Sequence, residues 1–106
     1  MSIFENQYKR IIAHRGKKNQ KKKAIEELKE LIVEIEADLN GNYKERNMIT
    51  EIADVLNMCF QLIIIYSLDL QEIIKERMFK NERELARIEH EKEMEENAKR
   101  WSAEDL

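Results

Sequence analysis

The scarcity of backbone punctuation constrains this chain most. Its 106 residues include no proline, and its two glycines are Gly16 and Gly41. Proline and glycine are the residues that most often break helices and shape turns, so the chain is expected to run in long helices with few joints. Hydrophobic residues make up 42% of the chain and charged residues 39%, a mixture that suits amphipathic helices and argues against disorder. A single domain of this size buries only a modest share of the surface its unfolded chain exposes, so a partner chain is expected to help it.

Apolar periodicity places the helices. A first one over about 4–15 carries Phe4, Tyr8, Ile11, Ile12 and Arg15 at helical spacing and stops at Gly16. A second, over about 19–39, shows Ile25, Leu28, Ile32, Ile35 and Leu39 as the stripe of a helix packed on one side. Asn40, Gly41 and Asn42 close it, and a polar linker leads to Asn47, the expected N-cap of a third helix reaching Tyr66. So short a connection makes the second and third helices antiparallel neighbours. The third is apolar nearly all round from Val55 to Ile65; such a helix must be surrounded, and part of it is expected at a subunit interface. Asp69 and Glu72 resemble a capping box that opens a fourth helix near Leu70. The fold expected is all-α and bundle-like, with a domain over 1–98 and a tail over 99–106 in which Trp101 is a surface anchor.

Several function classes drop out. Cys59 is the only cysteine, so there is no intrachain disulfide and no CxxC site, and a reducing compartment fits. Residues Met1 to Glu5 lack a basic stretch leading into an apolar run. The apolar segment from Val55 to Leu68 is interrupted by Asn57, Gln61 and Ser67 and falls short of the ~18–20 apolar residues that span a bilayer. A cytoplasmic protein without membrane partners is expected. The net charge of −3 is unevenly spread, with basic residues between Lys9 and Lys23 and acids dominating Glu82 to Glu96. No aromatic residue interleaves with the lysines as single-strand stacking would require, and no DNA-binding motif accompanies them. The basic stretch reads as a solvated helix end or as a source of triphosphate-attracting potential, and nucleic acid is not the expected partner.

The acids carry the functional signal. Glu27 and Glu30 stand one helical turn apart, and Glu34 extends their row. Alone, that row reads equally as a solvated face opposite the Ile25/Leu28/Ile32/Ile35 stripe. Glu51 and Asp54 repeat the spacing on the third helix, but there the same face continues through Met58, Leu62 and Ile65. Uncompensated carboxylates beside buried apolar groups are destabilising, so something positive is expected between them. If the two helices are neighbours, the acidic pairs face each other and form an all-oxygen site suited to Mg2+. A di-iron bundle would need Glu-x-x-His motifs. Neither His14 nor His90 has glutamate three residues earlier, and both read as surface residues, with His14 near enough to the basic stretch to help hold a phosphate. No P-loop and no nucleophile on a sharp turn is present.

In order along the chain, Glu26-Glu27-x-x-Glu30 and Glu51-x-x-Asp54 resemble the EExxE…ExxD signature of the MazG-like, all-α nucleoside triphosphate pyrophosphohydrolases. Met78-Phe79-Lys80-Asn81 resembles the KMxKN segment of that family, and Gly16 to Gln20 is similar to its small, phage-type members; the resemblance covers about 8–90. It implies a four-helix fold in a homodimer or dimer of dimers. It also implies Mg2+, with Mn2+ as a substitute, held by Glu27, Glu30, Glu51 and Asp54. Hydrolysis would run between the α- and β-phosphates of a nucleoside triphosphate. Glu26, beside Glu27, is the implied base or outer-shell partner, and Lys80 and Asn81 are the implied phosphate or sugar contacts. Arg77 stands where lysine is common in the family, and Lys29 where small residues are common. Asn57, one turn beyond Asp54, is a candidate polar contact near the site. Two alternatives share the scaffold: a catalytically silent helical interaction protein, and a phosphoribosyl-ATP pyrophosphohydrolase.

Overall fold

In the computed structural model of the chain, the backbone is described over residues 3–104 and the side chains over 5–102. Phe4, expected in the first apolar stripe, lies outside the described side chains. The architecture is all-α, with α1 (Ile3–Arg15), α2 (Lys17–Leu39), α3 (Glu45–Ile65) and α4 (Leu70–Glu104) and no strand among the described residues. The chain divides into two compact units, Met1–Leu68 and Asp69–Leu106.

Both glycines act where the sequence places them. Gly16 is a one-residue joint between α1 and α2: its N–H donates to the Ile12 carbonyl at 2.8 Å while its own carbonyl accepts from Gln20 N–H at 3.1 Å. Its φ of 92° is open to glycine at little cost, which is why α1 stops there. At the end of α2, Gly41 N–H reaches the Asp38 carbonyl and Asn42 N–H the Ala37 carbonyl, the paired bonds of a Schellman cap. The end of α3 repeats this pattern without a glycine. Ser67 takes the left-handed position at φ 51°, and Ser67 and Leu68 donate to the Ile64 and Ile63 carbonyls.

The start of α3 departs from expectation. The helix begins at Glu45, after an extended Lys44, with no side-chain cap. Asn47 lies inside the first turn, and its amide makes instead a long 3.5 Å bond to Glu34 Oε1 on α2. Further along, Gln20 Nε2 donates to Gln61 Oε1 at 2.7 Å within the same interface. Rising positions on α2 thus meet falling positions on α3, so the two helices are antiparallel, as the short connection requires.

The face that α2 turns to α3 is a second departure. Gln20, Ala24 and Glu27 are buried and Leu31 and Glu34 half-buried, whereas the apolar stripe lies outward: Ile25 is 54% and Ile32 53% exposed, with Leu28, Ile35 and Leu39 also open. From α3, Met58, Gln61 and Ile65 are buried, while Ile49, Ile52, Leu56 and Phe60 are exposed. Ile12 on α1 completes a small apolar core with Ala24, Met58 and Ile65. Tyr8 ties α1 to α3 by stacking on Phe60 with ring centroids 5.7 Å apart. Over its full length α3 is long and apolar enough, by length and composition alone, to cross a membrane, because the helix begins well before Val55.

The second unit holds α4, which runs unbroken across residues 98 and 99. Asp69 opens it, its carboxylate accepting from Gln71 N–H at 2.9 Å. Local pairs accompany its charged surface, including Arg87 with Glu84 at 3.2 Å and Arg83 over the Phe79 ring. Ile74 and Ile88 are half-buried and Trp101 is exposed.

Candidate metal centre

Each acidic pair sits one turn apart on its own helix, and antiparallel pairing sets the two turns side by side. One carboxylate oxygen from each of Glu27, Glu30, Glu51 and Asp54 lies within 4.8 Å of all the others. Burial is graded across the cluster: Glu27 is 7% exposed, Glu51 and Asp54 are half-buried, and Glu30 is open to solvent. Four carboxylates this close repel one another strongly where water is partly excluded.

The surroundings only partly relieve that repulsion. Lys23, one turn before Glu27, places its Nζ 3.3 Å from Glu27 Oε1. The second oxygen of Glu27 and one oxygen of Glu51 are buried with no hydrogen-bond donor. Buried carboxylate oxygens are nearly always matched by a donor or a cation. Asp54 responds by holding its proton more tightly. Its carboxyl is raised above the ordinary value of 3.8, mainly by burial, then by the charge of Glu27 and a hydrogen bond shared with it, with Lys23 pulling the other way. Such a cluster could hold a divalent cation, which would reduce the repulsion among the four carboxylates. The donor set fits a small hard ion, since every ligand atom is a carboxylate oxygen and no sulfur or imidazole is present.

A cleft of about 730 Å3 opens beside the cluster, within the range of small-molecule sites. Glu26, Glu27 and Asp54 form its acidic side. Arg15, Lys22 and Lys23 face into the same space, and Ile11 and Met58 give it an apolar patch. Asn19, Gln20, Asn57 and Gln61 supply neutral polar groups. Tyr8 hydroxyl donates to Asn57 Oδ1 at 2.8 Å, which fixes that amide at the edge of the cleft.

Of the residues singled out in the sequence, the four acids come together as one cluster, and Glu26 and Asn57 line the cleft beside it. Arg77, Lys80 and Asn81 belong to the second unit, where all three are exposed on α4 and Lys80 Nζ lies 4.0 Å from Glu76. His14 and His90 are exposed and lie outside the acidic cluster. Sequence reasoning gave no role to Gln20 and Gln61, and it did not connect Arg15 and Lys23 of the basic stretch to the acidic site. Lys23 was hidden in a lysine run that reads as a solvated helix end, although its place four residues before Glu27 carried a signal. Gln20 and Gln61 break apolar patterns and look like interruptions until the two helices are paired. No protein-family model, curated protein or solved structure matches the chain.

Proposed function

We propose that the protein is a Mg2+-dependent nucleoside triphosphate pyrophosphohydrolase of the MazG-like type, converting a nucleoside or deoxynucleoside triphosphate to the monophosphate and pyrophosphate. The observation that carries this reading is the convergence of Glu27, Glu30, Glu51 and Asp54 with two buried oxygens lacking a donor. The resemblance named the same four residues. These acids would hold Mg2+, or Mn2+ in its place. When bound, such a cation supplies charge neutralisation for the phosphates and lowers the pKa of water.

The chain's own groups have distinct tasks in this reading. Glu26, exposed at the cleft beside Glu27, takes the proton of the water that is added across the α–β anhydride bond. Asn57 presents an oriented amide to the sugar or base. For Lys80 and Asn81 the resemblance implies phosphate or sugar contacts, and Arg77 keeps the charge of the lysine common at its position.

A homodimer, or a dimer of dimers, is part of the proposal. Exposed large apolar residues on both helices of the hairpin, among them Ile25, Ile32 and Leu56, support it, because a partner surface would take them out of water. A bilayer is the poorer cover for α3, since charged groups near the middle of a spanning helix are each disfavoured by about 2.5–3.5 kcal/mol or more.

The test is a panel of canonical and modified nucleoside triphosphates with Mg2+, scored for pyrophosphate release and repeated in EDTA. Metal-dependent release from at least one triphosphate is expected. Silence across the panel by a protein that binds Mg2+ would overturn the enzyme in favour of a helical interaction protein. A preference for phosphoribosyl-ATP would move the assignment to that pyrophosphohydrolase. In thermal melts, Mg2+ at about 100 times its Kd should add about 2.7 kcal/mol of stability.

A further inference from the structure

The cleft lining carries both signs of charge, and one residue links them. Lys23 is paired with Glu27 Oε1 at 3.3 Å and also lines the cleft with Arg15 and Lys22. Its neighbours in the basic run are placed differently. Lys21 lies over the Tyr66 ring, 4.7 Å from the centroid. Arg15 and Lys22 have no carboxylate partner among the described residues. Lys23 is therefore the lysine of this cleft already engaged with the acidic cluster, and its side chain is 53% exposed, free enough to change partner.

We propose that Lys23 is an exchangeable counter-ion: it neutralises Glu27 while no metal is bound, and a divalent cation on Glu27 releases it to the anionic tail of a polyphosphate lying along Arg15, Lys22 and Lys23. This deepens the metal-centre reading and rests on it. Two observations and one electrostatic argument carry it. The Glu27 side chain is buried, yet one of its oxygens is held by an exposed lysine and the other has no donor. A cation entering among four carboxylates competes directly with that ammonium. The same cleft is lined by Arg15 and Lys22 as well and, among the described residues lining it, carries no aromatic ring, so it suits phosphate oxygens rather than a stacked base. A lysine ammonium is a compact charge on a flexible stem, which suits such an exchange.

The consequence is a linkage with opposite signs at one residue. Lys23 opposes metal binding and favours polyphosphate binding, so removing it should strengthen the first and weaken the second. Titration calorimetry with Mn2+ alone, then with pyrophosphate in saturating Mg2+, reads both. Lys23→Met is expected to bind Mn2+ several-fold tighter than the unmodified chain. It should bind pyrophosphate about tenfold more weakly, the usual loss for a charge-assisted contact. Lys22→Met should weaken pyrophosphate binding alone, and Lys23→Arg should restore both properties toward the original. Unchanged or weaker Mn2+ binding by Lys23→Met, with the original protein still binding Mn2+, would overturn the exchange and leave the metal centre standing. So would undiminished pyrophosphate affinity. Failure of the original protein to bind Mn2+ would overturn the metal centre and the exchange together. Circular dichroism of each variant checks that helix content is kept.

Discussion

The two faces of the α2–α3 hairpin partly invert the usual distribution of polarity: Ala24, Met58 and Ile65 are buried, but so are Gln20, Glu27 and Gln61. Its seam holds Gln20 against Gln61 and Glu27 beside Asp54, while its outward surface carries Ile25, Leu28, Ile32, Ile52 and Leu56. A hairpin shaped by its own stability would bury the isoleucines and expose the acids. Burying acids at a destabilising cost fits a site that needs partial exclusion of water, where charge interactions are stronger. Exposing isoleucines is tolerable when another surface covers them. The contrast separates what the seam does from what the outer faces do.

The sharpest way to break the contrast is to neutralise the seam. Glu51→Gln or Asp54→Asn should lower turnover more than about 100-fold, because even groups that only orient metal ligands are worth about 10–100-fold. Both variants should keep the helix content and the molecular mass of the original protein, as checked by circular dichroism and light scattering. Full activity in either would sink the ligand assignment. Charging the outer face comes next: if the proposed oligomer forms through it, Ile32→Asp should dissociate that oligomer, with a loss of about 2 kcal/mol or more for a residue at the interface centre. Sedimentation velocity reads the outcome, and an unchanged mass would remove Ile32 from any interface.

A smaller effect sharpens the claim that the seam is polar for function. Gln61→Leu alone should cost about 1–3 kcal/mol by leaving Gln20 buried without its partner, whereas Gln20→Leu combined with Gln61→Leu should be near neutral or stabilising. Denaturant melts of both variants decide it, and equal losses would show that the amide pair supports the fold.

The smallest expected effect is a drift with pH. Asp54 binds its proton more tightly in the folded chain than the ordinary value of 3.8 allows, chiefly through burial. Between that value and the raised one the folded state holds the extra proton, so stability falls as pH rises. The contribution is full below the ordinary value and lost above the raised one. Melts in EDTA across the acid range should show that decline, and Asp54→Asn should flatten it.

Much of this molecule was legible in the residues. Gly16 and Gly41 marked the first joints because few other residues take a positive φ cheaply, and Asp69 marked the start of α4. The spacing of Glu27 with Glu30, and of Glu51 with Asp54, announced two acidic turns. Asn47 has the chemistry of a cap, yet α3 already begins two residues earlier at Glu45, and Asn47 Nδ2 donates to Glu34 on α2. Nothing local to Asn47 reveals a partner thirteen residues away.

The sequence by itself determined helix content, the joints and the acidic rows, since each depends on neighbours within a turn or two along one chain. Tertiary structure decided which side of α2 faces inward, because a helix with one apolar face and one acidic face satisfies the same periodicity in either orientation. It also decided that Lys23 belongs to the cleft and that Gln20 meets Gln61, which are facts of packing between helices. Charges far apart in sequence become one site only when an antiparallel pair sets their turns at the same height.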